Sequence, residues 1–345
     1  MKKLFLLLFC FSATILSAQK QTYKSAIVAF YNMENFYDTV HNPMVDDNEF
    51  LPNGKMAYTS AVYKEKVAHL ATVVSQIGTD VNPDGAALLG CAEIENDTVL
   101  NDLIHHPLLA GRGYQFIHYD SRDPRGIDVA LIYNPKYFKV VSSKPIFVKL
   151  PRDSKSAFYT RDILWVRGSL NGEQIDVLVN HWPSRSGGEK RSAPARDAAA
   201  TVARNFINQL LKENPNDKII LMGDLNDDPV NKSVTDYLDA SGDAQNLQAG
   251  QLYNPWVAFY KKGIGTLAYQ NAWSLFDQIM LSQAWLDKQQ SGFFFYQNHV
   301  FRKSFMVENI GQYKGYPMRT YGGTTFRDGY SDHFPTYIVL LKRAD

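Results

Sequence analysis

The segment IILMGDLNDDP, Ile219 to Pro229, runs from an apolar stretch straight into Asp224, Asn226, Asp227 and Asp228. An apolar run of this length reads as a buried strand, so four oxygen-bearing side chains crowd at its end with no cation beside them in sequence. Packed carboxylates repel and resist ionising unless a positive charge neutralises them, and an all-oxygen set suits Mg²⁺, with Mn²⁺ or Ca²⁺ as alternatives. The competing reading is an acidic turn that closes a strand, since Asp and Asn are common turn residues. The pattern recurs, which favours a site. SAIVAFY leads into Asn32, Glu34 and Asn35, AALLGCA into Glu93, Glu95 and Asn96, and QIDVLV into Asn180 and His181; Ser331, Asp332 and His333 stand just before the run TYIVLL. Strands that deliver polar groups to one side of a sheet bring them together, and rigid strands place side chains more accurately than free loops do.

The ordered set YNMENFYD, CAEIEN, VNHWPSR, GDLNDDP, LFDQIML and SDHFP resembles the endonuclease/exonuclease/phosphatase superfamily, the fold of pancreatic deoxyribonuclease, over roughly residues 23 to 342. The GDxN and SDH signatures, with a D-x-I/L motif between them, are specific for the superfamily and not for a substrate. The resemblance implies an α/β fold: a four-layer sandwich of two mixed, mostly antiparallel sheets flanked by helices. It also implies a metal-dependent phosphoric ester hydrolase.

Roles follow from what phosphoester hydrolysis demands, namely neutralisation of charge on the phosphoryl oxygens and a positioned water. Glu93 is the leading metal ligand, helped by Glu34 directly or through water, with Asp332 completing the metal set. The resemblance pairs His333 with Asp277, as a base toward water or as a charged phosphate binder. Asp224 competes for the role of base, and Asn226 would orient phosphate or water. His181 resembles the second histidine of the deoxyribonuclease-like branch, and Asn32 the phosphate-binding asparagine. Arg185 offers a bidentate fork to phosphate, with a solvated loop arginine as the alternative. Glu95 falls where the strand has ended and is left out of the site. His105 and His106 belong to a loop, and Arg161 with Asp162 reads as a surface pair at a strand start.

Charge and composition bound the partners. Residues 1–18 read as a secretory signal, with Lys2 and Lys3 before an apolar core and Ser17-Ala18 at the cleavage site, leaving residues 19–345 as a single domain outside the cell or in the periplasm. Loss of Lys2 and Lys3 takes the formal charge from +1 to −1, unlike a basic protein that coats nucleic acid. Of the two cysteines, Cys10 lies in the signal and Cys91 in an apolar run, so no intrachain disulfide is expected. No second apolar stretch is long enough to span a bilayer, and the chain reads as a monomer.

The elements that must position these groups are strands at Ala26–Tyr31, Ala86–Ile94, Ile127–Tyr133, Ile163–Ser169, Gln174–Asn180, Lys218–Gly223, Phe276–Leu281 and Pro335–Leu341, with helices at Ser60–Ile77 and Pro194–Lys212. Asn171-Gly172 is a hairpin turn.

For substrate, a nuclease finds loop cations at Arg122, Arg125, Arg152, Arg185, Lys190 and Arg191 and a Tyr- and Phe-rich stretch from Gln312 to Tyr330. Gly292–Phe301 suits a buried strand better than the apolar membrane hairpin a sphingomyelinase would carry. A compact basic pocket for inositol phosphates is not seen. Nucleic acid is therefore the favoured phosphodiester; the alternatives are a phosphatase or phospholipase C-like enzyme and a catalytically silent binding module.

Overall fold

The computed structural model describes residues 21–151 and 159–344, so the signal segment and Arg152 lie outside the described residues. In chain order the strands are β1 Tyr23–Phe36, β2 Ala86–Ile94, β3 Gln115–His118, β4 Asp128–Tyr133, β5 Phe138–Ile146, β6 Ile163–Leu170, β7 Glu173–His181, β8 Ile219–Asp224, β9 Ala240–Ser241, β10 Leu252–Tyr253, β11 Leu267–Tyr269, β12 Ala272–Ser274, β13 Asp277–Leu281, β14 Phe294–Val300, β15 Tyr321–Gly322, β16 Thr325–Phe326 and β17 Thr336–Arg343. The main helices are α1 Ser60–Val74, α2 Asp97–Ile104 and α3 Glu189–Glu213.

Two mixed sheets result. One has six strands in the order β14-β17-β1-β2-β4-β3, the other seven in the order β5-β6-β7-β8-β13-β10-β9. Period-two alternation decides what each strand buries. Val28 and Phe30 of β1 and Val129 and Leu131 of β4 meet Val166, Val177, Ile220 and Met222 across the space between the sheets. The opposite faces take helices: Ile27, Ala29 and Tyr31 pack under α1 and α2, while Leu178, Ile219 and Leu221 pack under Ala199, Ala203 and Ile207 of α3. The layers are helix, sheet, sheet, helix, so the expected α/β sandwich is what the chain forms.

Local differences have local causes. The helix expected from Pro194 starts at Glu189, because Gly188 in a left-handed conformation turns the chain and Pro194 is carried inside the helix. α1 gives way to turns at Ser75, three residues short of Gly78, whose φ of 69° cannot continue a right-handed helix. β3 and β5 were not expected, since QFIH is short and FKVVSSKPI is half exposed. Within Gly292–Phe301, Phe294–Val300 forms the edge strand β14, and Phe293, Phe294 and Phe301 are buried; it is not a projecting apolar hairpin. No helix among the described residues is long and apolar enough to cross a membrane.

Candidate active site

The register of the seven-stranded sheet builds half of the site. β7 pairs with β8 in parallel, setting His181 beside Asp224, and β8 pairs with β13 antiparallel, setting Asp224 beside Asp277. Three functional side chains thus lie in one row across three neighbouring strands. Gly223 permits the approach: a Cβ there would sit 2.3 Å from the Asn180 carbonyl oxygen.

The six-stranded sheet supplies the rest through irregular strand ends. The β1–β2 register shifts between Asn32 and Phe36, and the β2–β4 register shifts between Ala92 and Ile94. At these bulges Glu34, Asn35 and Glu93 adopt φ of 47°, 49° and 62°, and Asn226, after β8, adopts 50°. Non-glycine residues in that region cost about 1–2 kcal/mol each, and bulges next to active sites re-aim side chains. Three of these four, Glu34, Glu93 and Asn226, are predicted site residues, and Asn35 donates to Glu93.

Asn32 joins the two sheets. Its Nδ2 donates to Asp224 Oδ2 at 2.9 Å and lies 3.4 Å from Glu93 Oε1. The Asn35 amide donates to Glu93 Oε2 at 2.7 Å, and the Asn226 amide to Asp224 Oδ1 at 2.9 Å. Asn226 Nδ2 donates to the Trp182 carbonyl, so this side chain braces the Asp224 turn. From the start of β17, His333 Nδ1 stands 2.7 Å from Asp277 Oδ2, while Nε2 faces Asp224 Oδ2 and Asp332 Oδ1, each at 3.9 Å. His181 Nε2 lies 3.7 Å from Asp224 Oδ2 and 3.9 Å from Glu93 Oε1.

The two histidines differ in charge: one is held as a cation, the other neutral. Burial works against a charged His333 ring, but Asp277, then Asp224 and Asp332, outweigh it and hold the imidazolium far above its ordinary range. His181 faces the same burial with Arg161, Arg125 and His333 as neighbours, and is held neutral. Burial pushes Asp224 up to about 6, with His333 opposing and Asp277 adding to the rise. Burial and Asp332 push Glu34 up to about 7, against Lys66 and Arg319.

Two kinds of carboxylate group are present. Asp224, Asp277 and His333 place ligand atoms within 4.8 Å of one another, but the 2.7 Å His333–Asp277 contact is a charge-assisted hydrogen bond that already uses Nδ1. Glu34, Glu93 and Asp332 offer oxygen alone. That donor chemistry suits a hard divalent cation such as Mg²⁺, but among the described residues these three oxygens do not converge to within 4.8 Å as Asp224, Asp277 and His333 do.

Several residues differ from expectation. Arg185 is not free for phosphate: its Nε donates to the Asn226 carbonyl at 2.9 Å, and its Nη2 to Asp227 at 3.0 Å, Asp228 at 3.2 Å and Asn231 at 3.2 Å. Asp227 also pairs with buried Arg196 Nε at 2.7 Å, so Asp227 and Asp228 have cations and belong to a braced turn. Arg161 is no surface residue; it is 5% exposed and donates to the carbonyls of His181 at 3.1 Å and Trp182 at 2.5 Å and to Asp123 at 3.1 Å.

Two cations were missed. Lys66 is buried, donates to Thr320 Oγ1 at 2.6 Å and stands 4.0 Å from Glu34 Oε2; Arg319 Nη2 donates to Asp332 Oδ2 at 2.6 Å and its Nε lies 3.5 Å from Glu34 Oε1. Lys66 had a signal, since it lies midway between Val62 and Leu70 on the apolar stripe of α1, where a lysine is out of place. Arg319 sits in an irregular loop without one.

With fold and site in view, the chain belongs to the Endonuclease/Exonuclease/phosphatase family, whose model matches residues 27–342. It is therefore a phosphoric ester hydrolase by family. Similar solved structures include an endonuclease/exonuclease/phosphatase family protein from Bacteroides thetaiotaomicron, at 17% identity and TM-score 0.58 over 94% of this chain and 100% of that one. A mannosyl-6-phosphatase from the same organism gives 17% and 0.55 over 91% and 99%. TDP2 from D. rerio, complexed with single strand DNA product, gives 14% and 0.54 over 92% and 98%. No curated protein matches the chain.

Proposed function

We propose that the protein is an exported, metal-dependent phosphodiesterase that cleaves nucleic acid by in-line attack of water. The observation that carries the phosphodiesterase reading is Asp224: one buried carboxylate receives Asn32 Nδ2 and faces both His181 and His333. A carboxyl held near 6 is a base poised close to neutral pH, able to take a proton from water. His333, held as imidazolium by Asp277, presents Nε2–H to a phosphoryl oxygen as charge develops there. Glu34, Glu93 and Asp332 would hold Mg²⁺, which when bound supplies Lewis-acid stabilisation of the same charge. Asn32 donates to Asp224 and, at 3.4 Å, to Glu93; a phosphate oxygen would take over the longer of the two bonds.

Nucleic acid is supported by the surroundings. A cavity of about 570 Å³ is lined by Arg125, Tyr159, Arg161, Arg191 and the serines 184, 186 and 192. Beside it Arg122 lies over the rings of Phe147 and Tyr159 at 4.9 and 5.7 Å, a cation and exposed aromatic suited to a phosphate and a base. D. rerio TDP2, a similar structure complexed with single strand DNA product, supports the nucleic-acid reading. A phosphatase is the second reading, favoured by the hydroxyl-rich lining of that cavity and by the similar mannosyl-6-phosphatase. Residues 1–18, read as a secretory signal, support export.

Hydrolysis of bis-p-nitrophenyl phosphate should be abolished by EDTA and restored by Mg²⁺. Glu93→Gln and Asp224→Asn should each lower it by at least about a hundredfold with the circular dichroism spectrum unchanged. Activity near wild type in either variant rejects the assignment. No cleavage of DNA or RNA at low salt with Mg²⁺, Mn²⁺ or Ca²⁺ would sink the nuclease reading and leave a small phosphoester as substrate.

A further inference from the structure

A second group of ligand-type side chains lies apart from the row of catalytic residues. His118 closes β3, Asp120 follows it and Asp128 opens β4; one ligand atom from each lies within 4.8 Å of the other two. The His118 side chain is 3% exposed. Its Nδ1 stands 2.9 Å from Asp97 Oδ1 at the first residue of α2, so Nδ1 is the donor there and Nε2 faces Asp128. Burial opposes a charged ring, but Asp128 and Asp97 favour it, so an incoming ion would displace the Nε2 proton. Nε2 is buried and has no hydrogen-bond partner.

A buried ring nitrogen facing a carboxylate without a hydrogen bond leaves room for an ion between them. Nε2 lies 3.6 Å from Asp128 Oδ2, beyond hydrogen-bond range. Two ligands of one tetrahedral ion, each about 2.1 Å from it, are about 3.4 Å apart. Asp128 is itself aimed, because its Oδ1 accepts the Ser121 amide at 2.9 Å. A histidine whose far nitrogen is held by a carboxylate is the usual arrangement at a metal, where the outer carboxylate fixes the tautomer and raises the ligand's basicity. Asp120 is exposed and leaves one side open to solvent.

We propose that His118, Asp120 and Asp128 form a binding site for a first-row divalent cation of the zinc class, oriented by Asp97. One imidazole and two carboxylates suit zinc or manganese, whereas the oxygen-only set Glu34, Glu93 and Asp332 suits magnesium. The ion would tie the end of β3 to the start of β4. It would thereby hold the intervening loop, whose Asp123 receives Arg161 and whose Arg125 lines the cavity beside His181.

The test is zinc binding by chelator-stripped protein in excess Mg²⁺, which fills the oxygen-only set. The wild-type chain should bind one more equivalent of Zn²⁺ than His118→Gln, and X-ray absorption should show a nitrogen ligand. Asp120→Asn, at an exposed position that cannot unfold the chain, should weaken that equivalent at least about tenfold, as should Asp97→Asn. Glu93→Gln should retain it. Equal zinc stoichiometry and affinity in the wild type, His118→Gln and Asp120→Asn overturns the site. So does a His118 ¹⁵N signal of a doubly protonated ring that zinc leaves unchanged, which would make the ring a charged bridge between Asp97 and Asp128.

Discussion

His333 and His181 face one carboxylate and are driven to different charge states by what stands behind them. Asp277 behind His333 is a buried anion; Arg161 and Arg125 near His181 are cations. If Asp277 acts by orienting and charging His333, then once the ring is removed it has nothing left to do. His333→Ala and Asp277→Asn should each lower kcat by at least about a hundredfold, and the double variant should be no worse than His333→Ala. Effects that multiply in the kinetics of the four-member cycle would mean that the residues act separately. Lys66 offers a second test, because it is a buried cation whose near neighbours include Glu34. At alkaline pH, where Glu34 is ionised, Lys66→Met should lower the Mg²⁺ concentration needed for half-maximal activity, because a cation competing for Glu34 is gone, and, by leaving Thr320 and Tyr330 groups unpaired, should cost about 1–3 kcal/mol in urea unfolding. A magnesium dependence identical to wild type would separate Lys66 from the metal set. At this scale the sequence revealed the strand-end groups, since each follows or precedes an apolar run. It misassigned Arg185 and Asp227 because their partners, Asn226, Asp228 and Arg196, meet only after α3 has packed on the second sheet.

The elements show why so few residues could be moved. Bulges at the ends of β1 and β2 turn Glu34 and Glu93 toward Asn32, at the cost of left-handed backbone, while β7, β8 and β13 align His181, Asp224 and Asp277 by register alone. An apolar run predicts a strand, but neither the bulge nor the neighbour that a strand will choose. Strand positions were therefore legible, and sheet order and the short β3 were not. The β7–β8 pairing rests on Gly223, against which the Asn180 carbonyl packs. In Gly223→Ala the new methyl would lie 2.3 Å from that oxygen and 2.7 Å from Asn180 Cβ, atoms that move only if the strands part. The variant should lose at least about 2 kcal/mol in chemical unfolding, and its kcat should fall because His181 and Asp224 separate. Wild-type stability would show that the strands part more easily than this packing implies.

Across the whole molecule, one pH-sensitive pair sits at the strand ends opposite the chemistry. The catalytic row closes β7 and β8, whereas near their starts Asp176 meets Asp217, the residue two before β8. Asp176 is the better supported of the two: Trp165 Nε1 donates to it at 2.6 Å and Arg167 Nε at 3.0 Å, while Arg167 Nη2 reaches Asp217 only at 3.7 Å. Burial first, then the Asp176 charge, raises the Asp217 carboxyl to about 7. Because that value lies above the roughly 3.9 of an unfolded aspartate, the folded chain holds the proton more tightly than the unfolded chain does. The resulting stabilisation is complete below about pH 4 and is lost as pH rises through 7. Asp217→Asn keeps the shape, can still donate to Asp176 and carries no charge. Its melting temperature relative to wild type should therefore shift upward between pH 4 and pH 8, while the pH profile of kcat, set by Asp224 at the far end of β8, stays where it was. A Tm difference that does not change with pH would show that Asp217 ionises as freely in the fold as out of it.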